Sequence, residues 1–105
     1  MNVLFICSRN KWRSATAETM YKNHPAHQVR SAGTAATARI KINAKLIDWA
    51  ELIFVMEKRH KTILAEKFSD HLQGKDLVVL HIPDDYTYMH DDLINEIEAK
   101  VSIYL

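Results

Sequence analysis

The only cysteine of this chain lies in the segment CSRNKWRS, residues 7–14, and an arginine follows it six positions later. A cysteine thiolate is a strong nucleophile, and an arginine guanidinium can pair with two oxygens of one phosphate group. Cys7 and Arg13 therefore have the chemistry to attack and hold a phosphoryl group. On residue types alone, a small buried cysteine beside a solvated arginine is an equally good interpretation.

The elements predicted around this segment favour the first interpretation. Residues 3–6 are continuously apolar, which is typical of a strand buried on both faces, and residues 14–24 have the apolar spacing of a helix. The segment thus leads from a strand into a helix N-terminus, where free backbone N–H groups and the helix dipole attract anions. The same surroundings favour the thiolate form of Cys7.

Strands and helices alternate along the rest of the chain. Further strands are predicted over residues 27–31, 52–56 and 76–82, and Asn43 is expected to cap a short helix over residues 44–50. Two more helices are indicated by apolar stripes, one at Ile63, Leu64, Phe68 and Leu72 and one at Leu93, Ile94, Ile97, Val101 and Tyr104. This order predicts one α/β domain over residues 1–105, with a four-stranded parallel sheet and helices on both faces. Ligands of such sheets bind at the carboxyl ends of the strands, where Cys7 lies.

Composition and charge argue against several other classes of protein. The formal net charge of +1 speaks against a nucleic-acid partner, and no apolar run is long enough to span a membrane. A single cysteine excludes an internal disulfide and fits a reducing compartment, so we expect a cytoplasmic protein with no membrane partner. His81, His90, Asp91 and Asp92 match no metal-binding pattern, so we expect neither a metal nor a cofactor. Nothing in the sequence indicates an oligomeric state.

The segment VLFICSRNKWRSATAE resembles the N-terminal signature of the low-molecular-weight protein tyrosine phosphatases, which is a cysteine, five residues, an arginine and a serine or threonine after the first strand. Three further segments resemble that family in the same order: VRSAGT at residues 29–34, WAELIFVMEKRHK at 49–61 and HIPDDY at 81–86. The resemblance implies the fold of that family and hydrolysis of a phosphomonoester. The implied partner is a phosphotyrosine-bearing protein or a small phosphomonoester.

The resemblance also implies a role for each matching residue. Cys7 would attack phosphorus and form a phosphocysteine, while Arg13 would hold the phosphate oxygens. Asp84 would act as general acid and base, with Asp85 as the fallback because it stands where the family has proline. Ser14 would stabilise the thiolate, and the other substrate-binding residues would be Ser8, Arg9, Asn10, Lys11, Trp12 and Tyr86. Asn10 would also hold the loop in shape, and Tyr86 would stack on the substrate ring.

Three departures from the family pattern affect the expected site. Arg9 stands where the family has glycine, and it either changes the loop or adds a cation to the rim of the pocket. Trp12 stands where many members have a second cysteine, and it either packs in the core, which we favour, or forms a wall of the pocket. The connection over residues 32–51 is short for the family, which predicts a shallow pocket.

Other functions are compatible with the same loop. An arsenate reductase of this fold needs further cysteines, which this chain lacks, unless an external thiol resolves the intermediate. A phosphocysteine carrier would need slow hydrolysis, which the aspartate at position 84 opposes. A binding module that recognises phosphate without turnover would fit Arg9 and the shortened connection. The basic run EKRHK at residues 57–61 is either a solvated surface or an attractor for acidic substrates.

Overall fold

Strands and helices alternate strictly in the computed structural model, which describes residues 1–105. The elements are β1 (Asn2–Cys7), α1 (Arg13–Tyr21), β2 (Gln28–Gly33), α2 (Ala44–Trp49), β3 (Leu52–Val55), α3 (Lys58–Leu72), β4 (Asp76–Val79) and α4 (Asp91–Val101). None of the helices combines the length and the apolar composition that crossing a bilayer requires.

The four strands form one parallel sheet in the order β2-β1-β3-β4. The register pairs Cys7 with Gly33 on one side of β1 and Ile6 with Val55 on the other. Because all strands run in the same direction, their carboxyl ends meet at one edge of the sheet. The predicted four-stranded parallel sheet is therefore confirmed.

Each face of the sheet is covered by a pair of helices. Val3, Phe5 and Cys7 of β1 lie in a core cluster that extends to α1 and α4, whereas Leu4 and Ile6 lie in a second cluster that extends to α2 and α3. Residues 3–6 have no exposed surface. This explains the continuous apolar run, since a strand between two helical layers buries both of its faces.

Several element boundaries differ from the prediction by one to three residues, and β2 extends to Gly33 where the prediction ends at residue 31. Helix α1 ends at Tyr21 instead of residue 24, because His24 N bonds to Tyr21 O in a turn. Strand β4 ends at Val79 instead of residue 82, since His81 has a positive φ of 55° that breaks the extended run. Helix α4 ends at Val101, and Tyr104 lies in the turn that follows.

The predicted cap of α2 is confirmed, because the side chain of Asn43 accepts a hydrogen bond of 2.9 Å from Leu46 N. Before that helix, the chain turns back over the end of β1. Thr34 N donates to Cys7 O, and Ala35 N donates to Ser8 O. The short connection therefore supports the loop that follows Cys7 instead of forming an additional wall.

Candidate active site

A cavity of about 330 Å³ opens at the carboxyl edge of the sheet. Its lining residues are Cys7, Ser8, Arg9, Lys11, Trp12, Arg13, Arg59 and Asp84. The folded chain therefore brings together all three residues that the sequence predicts to be catalytic. The loop of residues 8–12, called the cysteine loop from here on, forms the floor and much of the rim. No group of three or more His, Cys, Asp or Glu side chains is arranged to hold a metal ion.

The sulfur of Cys7 lies at the end of β1 and has two hydrogen-bond partners. Asn10 N donates to Sγ at 3.2 Å, and Ser14 Oγ lies 3.0 Å from Sγ. Because Ser14 Oγ accepts a hydrogen bond of 2.7 Å from Asn10 Nδ2, its own proton is available for the sulfur. The alternative acceptor, Ala32 O, is more distant at 3.4 Å. Two donors aimed at one sulfur stabilise a thiolate.

Asn10 shapes the cysteine loop from a buried position. Its backbone is left-handed, with φ of 58°, a conformation that asparagine tolerates better than most residues. Its Nδ2 atom donates to Ser14 Oγ and, at 2.8 Å, to Ser31 Oγ on β2. Ser31 in turn donates to Glu18 on α1. These hydrogen bonds connect the cysteine loop to β2 and to α1.

The backbone of the cysteine loop offers unpaired donors. The N–H groups of Ser8, Arg9, Lys11 and Trp12 donate no hydrogen bond within the protein, in contrast to Asn10 N. Helix α1 begins directly after them, so the positive end of its dipole lies at the same place. Successive free amides before a helix form a concave anion-binding site. The cavity is therefore suited to an oxyanion.

Arg13 is buried and oriented by two acceptors. Its Nη1 atom donates to the Glu57 carboxylate and, at 2.8 Å, to Ile82 O. These two bonds use both hydrogens of Nη1, so the donors on Nε and Nη2 remain free for a ligand. The carboxylate of Asp84 lies 3.7 Å from Nε and also lines the cavity.

The carboxylate of Glu57 is shared by two cations. Burial by itself would raise the pKa of Glu57, but hydrogen bonds from Arg13 and Arg59 outweigh burial and keep that pKa below its ordinary value. Glu57 is therefore charged at neutral pH and forms an ion pair with Nη1 of Arg13. The guanidinium keeps its free edge towards the cavity as a result.

His60 supports the cysteine loop from α3. Its ring is fully buried, Nδ1 accepts a hydrogen bond of 3.0 Å from Glu57 N, and Nε2 lies 2.9 Å from Ser8 Oγ. Since Nδ1 is an acceptor, the ring proton lies on Nε2 and is donated to Ser8. Burial, with the nearby charges of Arg13 and Arg59, lowers the pKa of His60 to about 4. The ring is therefore neutral at physiological pH, and the Ser8 hydroxyl proton is left free.

Sequence reasoning missed the contribution of the 57–61 segment. It treats EKRHK as a basic run, but Glu57 orients Arg13, Arg59 lines the cavity and His60 holds Ser8. The available signal was the spacing of Glu57 and His60, which form a capping box at the start of α3.

Gly33 is a further residue of the site that the sequence left unassigned. A Cβ atom at this position would lie 2.4 Å from Ser8 O and 2.7 Å from the Ala38 side chain. Only glycine therefore allows the end of β2 to pass this close to the cysteine loop.

Two expectations about aromatic residues are wrong. Trp12 does not pack in the core: its side chain is 42% exposed and forms part of the cavity wall. Tyr86 does not line the cavity, because its ring packs against the core under α4 and its hydroxyl donates to Glu96 at 2.9 Å. The phenol is drawn away from the site by that carboxylate.

The remaining predicted residues divide into lining and supporting groups. Ser8, Arg9 and Lys11 line the cavity, whereas Asn10 and Ser14 are buried behind it and act on the sulfur. Arg9 has no left-handed backbone, so its side chain is tolerated where the family has glycine. Of the two candidate acids, Asp84 lines the cavity and Asp85 does not.

Comparisons with solved structures agree with this fold. No protein-family model matches the sequence. A protein-arginine-phosphatase of Bacillus subtilis is 24% identical over 131 residues, covering 99% of this chain and 85% of that protein. The solved structure of the tyrosine phosphatase Wzb from Escherichia coli K30, in complex with phosphate, superposes with a TM-score of 0.79 at 21% identity, covering 98% of this chain and 94% of Wzb. A Drosophila arginine phosphatase structure gives a TM-score of 0.69 at 18% identity, covering 96% of this chain and 90% of that one.

Proposed function

Because this chain has the fold of the low-molecular-weight protein tyrosine phosphatases, we propose that it is a phosphatase that hydrolyses phosphomonoesters through a phosphocysteine on Cys7. The observation that carries this proposal is the convergence of three groups on one cavity. These are a sulfur held by two donors, an arginine with a free donor edge and a carboxylate facing it.

The first step transfers the phosphoryl group to sulfur. The Cys7 thiolate attacks phosphorus in line, so that an S–P bond forms while the bond from phosphorus to the leaving oxygen breaks. The free amides of the cysteine loop, with Nε and Nη2 of Arg13, bind the equatorial oxygens and stabilise their charge in the transition state. Asp84 gives its proton to the leaving oxygen, which departs as a neutral phenol or alcohol.

The second step releases phosphate. Asp84, now ionised, removes a proton from a water molecule that attacks the phosphocysteine. An O–P bond forms, the S–P bond breaks, and Cys7 leaves as a thiolate that Ser14 and Asn10 stabilise. Inorganic phosphate is the product, and Asp84 is again protonated for the next cycle. No electron transfer is needed, so a single cysteine suffices.

Phosphotyrosine is the substrate that the cavity supports best. Arg9 and Lys11 line the cavity and form no ion pair, so their positive charges repel the guanidinium of a phosphoarginine substrate, whereas Arg59 is paired with Glu57. A phenyl ring is neutral, and the exposed ring of Trp12 offers it an aromatic surface for stacking. Two of the similar proteins are arginine phosphatases, so phosphoarginine is the principal competing substrate.

The groups at this site do not match what each rival function requires. Arsenate reduction needs a second thiol, and because the chain has no other cysteine, that thiol would have to come from another molecule. A phosphocysteine carrier must exclude water activation, but Asp84 lies at the cavity where it can activate water. A module that only binds phosphate needs no acid, and its distinguishing outcome is tight phosphate binding without turnover.

The direct test is hydrolysis without added metal by the wild type, Cys7→Ser, Asp84→Asn and Asp85→Asn. The substrates are p-nitrophenyl phosphate, a phosphotyrosine peptide and the matching phosphoarginine peptide. We expect turnover by the wild type, none by Cys7→Ser and a loss in kcat of about 100-fold in Asp84→Asn for the aryl ester. We also expect kcat/KM to be higher for phosphotyrosine than for phosphoarginine.

Asp85→Asn is the matched control, since it removes the same charge one residue away. If Asp85→Asn loses activity and Asp84→Asn does not, the acid is assigned wrongly. Turnover by Cys7→Ser at the wild-type rate would exclude the phosphocysteine. Higher kcat/KM for the phosphoarginine peptide would replace the proposed substrate.

A further inference from the structure

A second cavity, of about 420 Å³, adjoins the candidate active site. Its lining residues are Lys11, Ala15, Glu18, Thr19, Lys22, Arg39 and Tyr88, and they are called the basic groove from here on. Lys11 lines both cavities, so the basic groove begins at the rim of the active site. It runs along the outer face of α1, between Arg39 on one side and Tyr88 on the other. The basic groove is therefore within reach of a peptide bound with one residue in the active site.

The charge of this region differs from that of the molecule as a whole. The two cavities are lined by six cationic and two acidic side chains, a formal charge of +4, whereas the whole chain carries +1. The acidic residue of the basic groove is already engaged. Glu18 accepts a hydrogen bond from Ser31 and lies 3.8 Å from Arg39. The two lysines form no ion pair at all, since neither Lys11 nor Lys22 lies within 4 Å of a carboxylate.

An aromatic side chain is held at the edge of the basic groove. Tyr88 is 49% exposed, and its hydroxyl lies 2.7 Å from the hydroxyl of Thr19 on α1. That hydrogen bond fixes the ring where it lies, although half of it is in contact with solvent. A large exposed ring beside unpaired cations is the composition of a surface that binds a peptide through both packing and charge.

We propose that the basic groove binds acidic residues next to the phosphorylated residue of a protein substrate. The inference rests on the proposed phosphatase function, because it assumes that the phosphorylated residue occupies the adjoining active site. Carboxylates of the substrate pair with Lys11 and Lys22, whose charges have no partner within the protein. Arg39 contributes less, since it is shared with Glu18 and also donates to Asn10 O at 3.0 Å. The preferred substrate is thus a phosphotyrosine in an acidic segment.

The test compares three phosphotyrosine peptides of the same length. One has glutamates before the phosphotyrosine, one has them after it, and the third has glutamines at all of these positions. For the wild type at low salt, we expect one of the two acidic peptides to have a higher kcat/KM than the glutamine peptide. The difference should be about two- to fivefold for each ion pair formed. The advantage should shrink when the ionic strength is raised towards 0.5 M, because exposed charges are screened.

Lys22→Glu is the informative variant, with Lys67→Glu on α3 as the matched control because it introduces the same charge change away from both cavities. We expect the ratio of kcat/KM for acidic over neutral peptide to fall to about one in Lys22→Glu, because the new carboxylate offsets Lys11, and to be retained in Lys67→Glu. Lys22→Gln should lower the preference to about that of the single remaining ion pair with Lys11, and it keeps the test decisive if the reversed charge perturbs folding. Equal kcat/KM for all three peptides in the wild type would overturn the proposal, as would an equal effect of the two charge reversals.

Failure of the phosphatase function would be seen separately, as no turnover of p-nitrophenyl phosphate or of any peptide by the wild type. In that case the dissociation constants of the same three peptides, measured by fluorescence anisotropy, decide the question of the basic groove. Tighter binding of an acidic peptide that Lys22→Glu removes would support it. Equal dissociation constants would overturn it.

Discussion

The Nε2 atom of His60 lies 2.9 Å from the hydroxyl oxygen of Ser8, and this hydrogen bond joins the first turn of α3 to the cysteine loop. The two residues are far apart in sequence but meet because β1 and β3 are neighbours in the sheet. Glu57 N donates to the other ring nitrogen and sets the tautomer. His60 is therefore a positioning residue, which acts on a substrate only through Ser8.

Replacing this histidine should weaken catalysis without removing any reacting group. In His60→Ala, Ser8 loses its donor and Glu57 N loses its acceptor, so we expect kcat/KM for p-nitrophenyl phosphate to fall about fivefold to tenfold. His60→Gln should restore part of the loss, because an amide can donate to Ser8. His71→Ala, an exposed histidine on the same helix, is the control. Unchanged kcat/KM in a folded His60→Ala protein would contradict the positioning role.

The low pKa of His60, about 4, predicts a loss of stability in acid. Above the unfolded value of about 6.5 the ring is neutral in both states, so stability does not depend on it. As the pH falls from 6.5 to 4, the unfolded chain binds a proton that the folded protein excludes. The free energy of unfolding should then decrease by about 1.4 kcal/mol for each pH unit within that window. Urea unfolding between pH 7 and pH 4.5 measures it.

His60→Gln provides the comparison for the acid prediction. The variant has no titrating group at this position, so its stability should fall less steeply between pH 6.5 and pH 4.5 than that of the wild type. Parallel curves for the two proteins would show that burial of His60 does not cause the acid sensitivity.

Gly33→Ala should damage both the fold and the site. The added methyl group would meet Ser8 O at 2.4 Å and Arg9 C at 3.0 Å, and these are backbone atoms that cannot rotate away. We expect the free energy of unfolding to decrease by about 2–3 kcal/mol and kcat/KM to fall at least tenfold, because the cysteine loop must shift.

Gly74→Ala is the contrasting variant for this prediction. No atom lies within 4 Å of an added Cβ there, but φ is +77°, so the cost is backbone strain of about 1 kcal/mol. Thermal unfolding and p-nitrophenyl phosphate hydrolysis should show lower stability with normal activity. If Gly33→Ala also shows lower stability with normal activity, the close approach of Gly33 to the cysteine loop is not required for catalysis.

The pair Asn10→Ala and Asn10→Gly separates the side chain of this residue from its backbone. Both variants lose the hydrogen bonds to Ser14 and Ser31, so both should lose activity to a similar extent. Asn10→Ala also places a residue with a Cβ atom at φ of 58°, a conformation that glycine adopts freely. Asn10→Ala should therefore be less stable than Asn10→Gly by about 1 kcal/mol. Chemical unfolding combined with kcat/KM gives both quantities. Wild-type activity in Asn10→Gly would rule out the proposed orientation of Ser14.

The parts of the site that sequence reasoning found are those encoded by short segments. The apolar run of β1 determines a buried strand, and Cys7 must then lie at its end, only one loop away from Arg13 and the start of α1. Anion-binding amides follow from that local geometry. Asp84 was found through a resemblance of one short segment, and it does line the cavity.

The parts that were missed depend on which elements are neighbours in space. Glu57 and His60 orient Arg13 and Ser8 only because β3 pairs with β1 and brings the start of α3 to the cysteine loop. Trp12 is exposed, whereas its neighbour Arg13 is buried and bonded to Ile82 O from a distant segment.

Local periodicity was therefore sufficient to predict the order of strands and helices along the chain, and the Cys7–Arg13 segment after β1 predicted an anion-binding loop. The role of Cys7 as nucleophile came from the family resemblance and belongs to the proposed function. The tertiary structure alone decided which side chains orient that loop, which aromatic ring forms the wall and where the basic groove runs. The physical reason is that hydrogen bonds and packing between distant segments act over a few ångströms in space, and no pattern of neighbouring residues encodes those distances.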